Sequence, residues 1–435
     1  MLVRATRRYL QRLASFGRNA RLFLLSTVIT GLGYSIYMLI FNLFVDSQGY
    51  SRSFLGELQS MPNLIALLSA LPAGVLVDRI GRKRAMNLAN AGRLVAYLGI
   101  VFSPGPWSLR LSMVVFGVAQ SLWMVSAAPF MMENSKEEER NALFSANFGL
   151  QTLVGFFGTL LGGYLPTIFG NALGAGVESP EAYAATLSTT VLLGVLAVVP
   201  VLMIEEEARP AGAGARVRSF LPWRNLASPR LAARIFLPNI IISMGAAILI
   251  PYMNLFFKET YAISDKLLGT LFAVSSVVTG VTTLASPLLA DRWGRIRALV
   301  FTQLTSIPFL LLIGFSGIFW LSGLAFWVRA ALMNMGNPLY SAFAMEQVAE
   351  GERATVSGLM GMSWNIGWTI GPFVSGFMQS HPDIGFQPIF VITCTLYIVA
   401  SVLEKRFFQR TDDRARRAAL LKQQGVVDLS QGAHQ

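Results

Sequence analysis

Two short charged stretches carry the clearest chemical signal in this sequence. Asp78-Arg79-Ile80-Gly81-Arg82-Lys83-Arg84 is followed, 213 residues later, by Asp291-Arg292-Trp293-Gly294-Arg295-Ile296-Arg297. A second pair, Glu133 and Arg140, recurs at the same offset as Glu346 and Arg353. Carboxylates and guanidiniums grouped in this way can form ion pairs that make and break. As topology signals or ordinary surface salt bridges, each such pair would be worth only about 0–1 kcal/mol. Catalysis is not indicated. The sequence holds no metal-ligating cluster, nucleophile–base pair or phosphate-binding loop, and therefore no expected cofactor or metal. Its one cysteine, Cys394, lies in an apolar stretch and reads as inert filler, while His381 and His434 fall in a loop and the tail.

A different signal comes from charge placed inside apolar sequence. Arg329 stands in Phe326-Trp327-Val328-Arg329-Ala330-Ala331-Leu332. A guanidinium at that depth costs at least about 2.5–3.5 kcal/mol and usually faces a cavity or a partner. Three roles fit it: binding an anionic or polar group, pairing within the bundle, or capping carbonyls near Asn334–Pro338. No Asp or Glu lies near the middle of any apolar run. Glu57, near the end of one, is the one candidate for proton coupling.

The elements that must position these residues are helices. The chain is 54% hydrophobic and 13% charged over 435 residues, about half the charge a soluble surface carries. Apolar runs of spanning length occur near 22–45, 54–77, 85–103, 109–132, 141–168 and 183–204. A second set occurs near 234–257, 267–290, 297–316, 319–345, 354–379 and 386–408. Only helices or closed barrels satisfy their backbone in lipid, and no strand pattern competes. All Lys and Arg fall on one side except Arg52, Arg110, Lys258 and Lys266, and the intrahelical Arg93 and Arg329. That side is expected to be cytoplasmic, with both termini on it. The net charge of +12 then implies contact with anionic lipid headgroups rather than nucleic acid.

The match between halves extends beyond charge. Leu55-Gly56 pairs with Leu268-Gly269, Gly158 and Gly163 with Gly371 and Gly376, and Asn42-Leu43-Phe44 with Asn254-Leu255-Phe256 one residue out of register. This is a tandem duplication. The expected domains are a segment 1–20, a six-helix bundle 21–205, a Pro/Gly/Ala/Arg-rich linker 206–232, a second bundle 233–408, and a loose polar tail 409–435.

With the Asp78–Arg84 loop and its weaker second copy, the sequence resembles the major facilitator superfamily over about residues 20–408. The resemblance implies an all-α membrane protein, two six-helix bundles (6+6) related by a pseudo-two-fold axis, alternating access around a midplane site, and a monomer in a bacterial inner membrane. It also implies a cytoplasmic gate of Asp78, Arg79, Arg82, Glu133 and Arg140 with Asp291, Arg292, Arg295, Glu346 and Arg353. In it Asp78 faces the start of helix 11 across the halves and Asp291 faces helix 5. The Glu133/Arg140 spacing is similar to the acidic–basic motif of sugar porters. Helix 5 reads Gly158-Thr159-Leu160-Leu161-Gly162-Gly163, without the proline of the drug–proton antiporter signature. On the helices that line the cavity in this family stand Tyr34, Tyr37, Asn63, Gln120, Trp123, Asn147 and Gln151 in the first half. The second half has Asn254, Arg329, Asn334, Asn337, Trp364, Asn365 and Trp368. Arg93, on a peripheral helix, is expected to snorkel to the headgroups. Together these imply a transporter of a small molecule, exporting amphipathic compounds. The alternatives are an importer or exchanger of an anionic metabolite held by Arg329, a lipid flippase, or a membrane sensor.

Overall fold

The computed structural model describes residues 16–205, 228–349, 352–381 and 383–423. Most of the expected linker, the first fifteen residues and the last twelve lie outside this set. Among the described residues there is no strand. Twelve long helices follow one another. The first six are α1 (Arg18–Ser47), α2 (Arg52–Ile80), α3 (Arg82–Phe102), α4 (Pro106–Glu133), α5 (Glu137–Leu173) and α6 (Pro180–Leu202). Then come α7 (Pro229–Tyr261, broken by a 3-10 turn at Ile250–Tyr252), α8 (Asp265–Trp293), α9 (Arg295–Phe315), α10 (Phe319–Glu346), α11 (Arg353–Gln379) and α12 (Gln387–Gln423).

By length and composition, ten of the twelve can cross a membrane; α10 and α11 fall outside that set. Arg329, Asn334 and Asn337 interrupt the apolar sequence of α10, and Trp364, Asn365 and Trp368 that of α11. These are the polar and aromatic positions that the family resemblance assigns to a cavity. The last helix corrects the expected boundary at 408: α12 runs on to Gln423. Its extension docks on α9, where the Ile296 amide donates to Asp412 at 3.1 Å and Arg297 meets Asp413 at 2.9 Å. Asp412 thereby caps α9 from another helix.

The duplication appears in local structure. Ser51 and Ser264 each cap the following helix, accepting from the Phe54 and Leu267 amides. Gly81 (φ 91°) and Gly294 (φ 87°) are each the single residue between two helices. The one-residue turn requires a positive φ that residues with a Cβ rarely adopt, which explains glycine at the centre of both charged loops.

Within each half the helices pack on one another; between halves, α2 lies along α11 and α5 along α8. Both cross-contacts bring backbone against backbone at the face carrying the α1–α2 loop. A Cβ on Gly56 would come within 3.0 Å of Gly376 Cα, and one on Gly163 within 2.7 Å of Gly269 Cα. The repeat makes these two crossings equivalents of each other. At the opposite face, which carries the α2–α3 loop, a Cβ on Gly74, Gly358 or Gly361 would meet no atom within 4 Å. The halves are joined at one face and parted at the other.

Candidate functional site

The joined face is sealed by polar groups at pseudo-equivalent positions. Asn42 and Asn254, partners in the repeat, hydrogen-bond each other at 3.1 Å. The Asn254 amide also donates to the Leu39 carbonyl at 2.8 Å, and Asn42 to that of Pro251, within the 3-10 break of α7. Asn254 is therefore buried in the seal, away from any cavity. Around this pair runs a ring of charge. Arg52 bridges Asp46 at 3.1 Å and pairs with Glu259 across the halves. Lys258 pairs with Asp265, bridges Glu178 at 3.0 Å and donates to the Tyr183 hydroxyl at 2.6 Å. Asp46 corresponds to Lys258 in the repeat, and Arg52 to Asp265, so each position carries opposite charge in the two halves. From sequence alone, Arg52 and Lys258 stand out only as basic residues on the less basic side.

At the parted face, the expected gate residues form pairs within each half. Arg82 meets Asp78 at 3.0 Å and Glu133 at 3.7 Å; Arg295 pairs with Glu346. Asp78 thus serves Arg82, one turn along its own chain, rather than the start of α11. Arg353 donates to the Met345 carbonyl at 3.2 Å, and the Arg140 Nε is buried without an acceptor. Arg79, Asp291 and Arg292 are exposed.

Among the described residues, two cavities are large enough to hold part of a small molecule. One, of about 230 Å³, lies inside the first half and is lined by Thr27, Thr30, Gly31, Tyr34, Arg93, Tyr97, Phe116, Gln120, Trp123, Met124 and Gln151. Of the cavity positions expected from sequence, Tyr34, Gln120, Trp123 and Gln151 are here. Tyr37 sits behind it, stacked on Phe116 at 5.6 Å and buried. The second cavity, of about 700 Å³, lies between α5 and α8 and is mostly apolar; Phe148, Thr152, Leu153, Val277, Gly280 and Leu284 are among its walls.

Arg93 is the main correction. It does not snorkel: its guanidinium stacks over the Trp123 ring at 4.9 Å, and its Nη1 is buried with no acceptor. A long side chain on a peripheral helix can turn either way, and here the aromatic wall holds it inward. Arg329 behaves oppositely to the binding role considered for it. It is 6% exposed, its Nη2 donates to the Tyr397 hydroxyl at 2.7 Å, and it lines neither cavity. It joins α10 to α12. Glu57 is likewise committed, held by Arg110 through two hydrogen bonds of 2.6 and 2.9 Å. A carboxylate fixed by a bidentate guanidinium is poorly placed to exchange protons with a cavity.

The remaining candidates are scattered. Asn63 donates to the Gln59 carbonyl at 3.3 Å and approaches that of Trp368 at 3.5 Å across the halves. Asn334 bonds the Ala330 carbonyl at 2.8 Å within its own helix. Asn337 is exposed and Asn365 is half-buried. Trp364 and Trp368 lie 6.0 Å apart, and the Trp368 Nε1 is buried without a partner, as is the Asn147 Oδ1.

Comparison with known proteins agrees with the two-fold organisation. The family profile described as Major Facilitator Superfamily matches twice, over residues 23–244 and 235–430. The multidrug resistance protein MdtG of Proteus mirabilis is 21% identical over 391 residues, covering 88% of this chain and 94% of that protein. The multi-drug resistance efflux pump PmrA of Streptococcus pneumoniae is 23% identical, covering 68% and 72%. Among solved structures, a bacterial homologue of the human lysosomal transporter Spinster, inward-facing and unoccupied, superposes with a TM-score of 0.74 at 14% identity, over 89% and 95% of the two chains. The nucleoside transporter NupG superposes at 0.71 and 13% identity, over 90% and 99%.

Proposed function

The chain belongs to the major facilitator superfamily and is a multi-pass membrane transporter, and from that membership we propose that it exports amphipathic small molecules by alternating access. One observation carries the reading. The cavity of the first half combines aromatic faces, amides and hydroxyls with an apolar slot along the same helix, α5. Such a lining suits molecules with both a polar and an apolar part. The multidrug efflux proteins it resembles support the direction of transport.

In this proposal all twelve helices cross the membrane and the α2–α3 face, with both termini, is cytoplasmic. The structure then represents the state open to the cytoplasm, ready to load. The Asn42–Asn254 pair and its ring of charge hold the outer face shut. The Asp78, Arg82, Glu133 and Arg140 set, with Asp291, Arg295, Glu346 and Arg353, exchanges partners when the inner face closes. Arg79 and Arg292 flank these sets. The protein works as a monomer in the inner membrane, with its basic loops on anionic headgroups.

The test is transport in everted membrane vesicles with three probes sharing one fluorophore: dansyl-glycine (anionic), dansylamide (neutral) and dansylcadaverine (cationic). Vesicles carrying the chain should accumulate at least one probe faster than vesicles lacking it. No accumulation of any of the three, or movement in the opposite direction, would refute export.

A further inference from the structure

We propose that Arg93 is the anion-recognising residue of the first-half cavity, selecting amphipathic substrates that carry a carboxylate, sulfonate or phosphate head. This deepens the export reading and rests on it.

Several other arginines of the helices have carboxylate partners. Arg110 has Glu57, Arg52 has Glu259 and Asp46, Arg82 has Asp78, and Arg295 has Glu346. Arg329 has only the Tyr397 hydroxyl and Arg140 keeps a buried Nε without an acceptor, but neither lines this cavity. Arg93 has the Trp123 ring on one side, and no carboxylate pairs with it among the described residues. A buried cation without a counter-ion is costly, and the cost is recovered when an anion enters.

The cavity beside it is prepared for such a guest. Three hydroxyls in or on its wall, Thr27 Oγ1, Thr30 Oγ1 and Tyr97 Oη, are also buried without partners. They can donate to the oxygens of a headgroup that Arg93 neutralises, which is how anions are usually held in dry sites. A cationic head would instead meet an uncompensated positive charge. At about 230 Å³ the space holds a headgroup and little more.

The apolar body has its own place. Gln151 borders the headgroup cavity, and Phe148, three residues earlier on α5, borders the slot of about 700 Å³. Residues three apart share a helix face. A molecule with its anion on Arg93 can therefore lay its apolar part along α5 toward α8. The same chemistry describes a free organic acid and an anionic lipid, so the test separates these sources.

Binding is measured on the full-length protein in nanodiscs of zwitterionic phosphatidylcholine, by energy transfer from tryptophan to the dansyl group. Dansyl-glycine should bind more tightly than dansylcadaverine. Arg93→Gln should weaken dansyl-glycine about ten- to a hundred-fold, the range for losing a hydrogen-bonded charge, and leave dansylcadaverine unchanged or tighter. Arg93→Lys, which keeps the charge, should recover part of the loss. Nanodiscs containing phosphatidylglycerol distinguish the source: competition with dansyl-glycine assigns the site to a lipid headgroup, and its absence to a soluble acid. Unchanged dansyl-glycine affinity in Arg93→Gln with an unaltered melting temperature would overturn the assignment. So would a loss confined to Arg329→Gln. Either result can arise while wild-type vesicles still export a probe, so this inference and the export reading can fail separately.

Discussion

The two glycine crossings should decide which face of the transporter is shut. A methyl group on Gly163 would lie 2.6 Å from the Asp265 carbonyl oxygen and 2.7 Å from Gly269 Cα. Ordinary contact begins at 3.4 Å, and the obstructing atoms are backbone, which cannot rotate aside. The helices must part by about 0.7 Å, an overpacking of about 1–3 kcal/mol. Gly376 faces Gly56 in the equivalent crossing, with Cβ 2.8 Å from Gly56 Cα. The two crossings use different helices, so their costs should add. Gly163→Ala with Gly376→Ala then penalises the joined face by about 2–6 kcal/mol, at least a thirty-fold shift in the equilibrium between states. A state in which α5 and α8 diverge at this face pays no such penalty. Spin labels on Gln48 and Thr260, both exposed on opposite halves, in a Cys394→Ser background, report the separation by electron–electron resonance. The double variant should gain a longer-distance population. An unchanged distance distribution in a folded double variant would refute the idea that these crossings set the state.

Two further results are expected. Lys258→Met leaves the Asp265 side chain, 1% exposed, without its cation, so it should cost about 3–5 kcal/mol of stability. Lys258→Met with Asp265→Asn should recover most of that, both read as shifts in melting temperature. Asp78→Asn should insert normally yet transport poorly, because Arg82 loses the acid that holds it at 3.0 Å in this structure; vesicle uptake at the wild-type rate would count against a gating role for this loop.

Much of this arrangement was legible because it is repeated. The charged loops, the glycines at 158, 163, 371 and 376, and the Asn42/Asn254 pair all stood at matching positions, and each proved to occupy equivalent structural places. What the sequence concealed was direction. Arg93 and Arg329 are both arginines in apolar helices, and helical periodicity cannot tell which will find an acceptor. Arg329 finds Tyr397, 68 residues away, while Arg93 finds only an aromatic face. Glu57 looked available because Arg110 is 53 residues distant. The end of α12 was missed for another reason. Residues 409–423 lack an apolar period, but their Ala, Leu, Lys, Arg and Gln are strong helix formers, and Asp412 gives the extension something to hold.

The reversed charges of the seal mean that each half recognises the other and not itself. Arg52 of the first half meets Glu259 of the second, and Lys258 of the second meets Glu178 of the first. A pair of identical first halves would set Arg52 opposite Ser47, the residue matching Glu259, and Glu178 opposite Asp46, the residue matching Lys258. Duplication supplied two interchangeable modules; the charge reversal made them a lock and its key. The two halves produced as separate chains should therefore reassemble with each other in preference to self-pairing, with the covalent link between them needed for yield rather than for choice of partner.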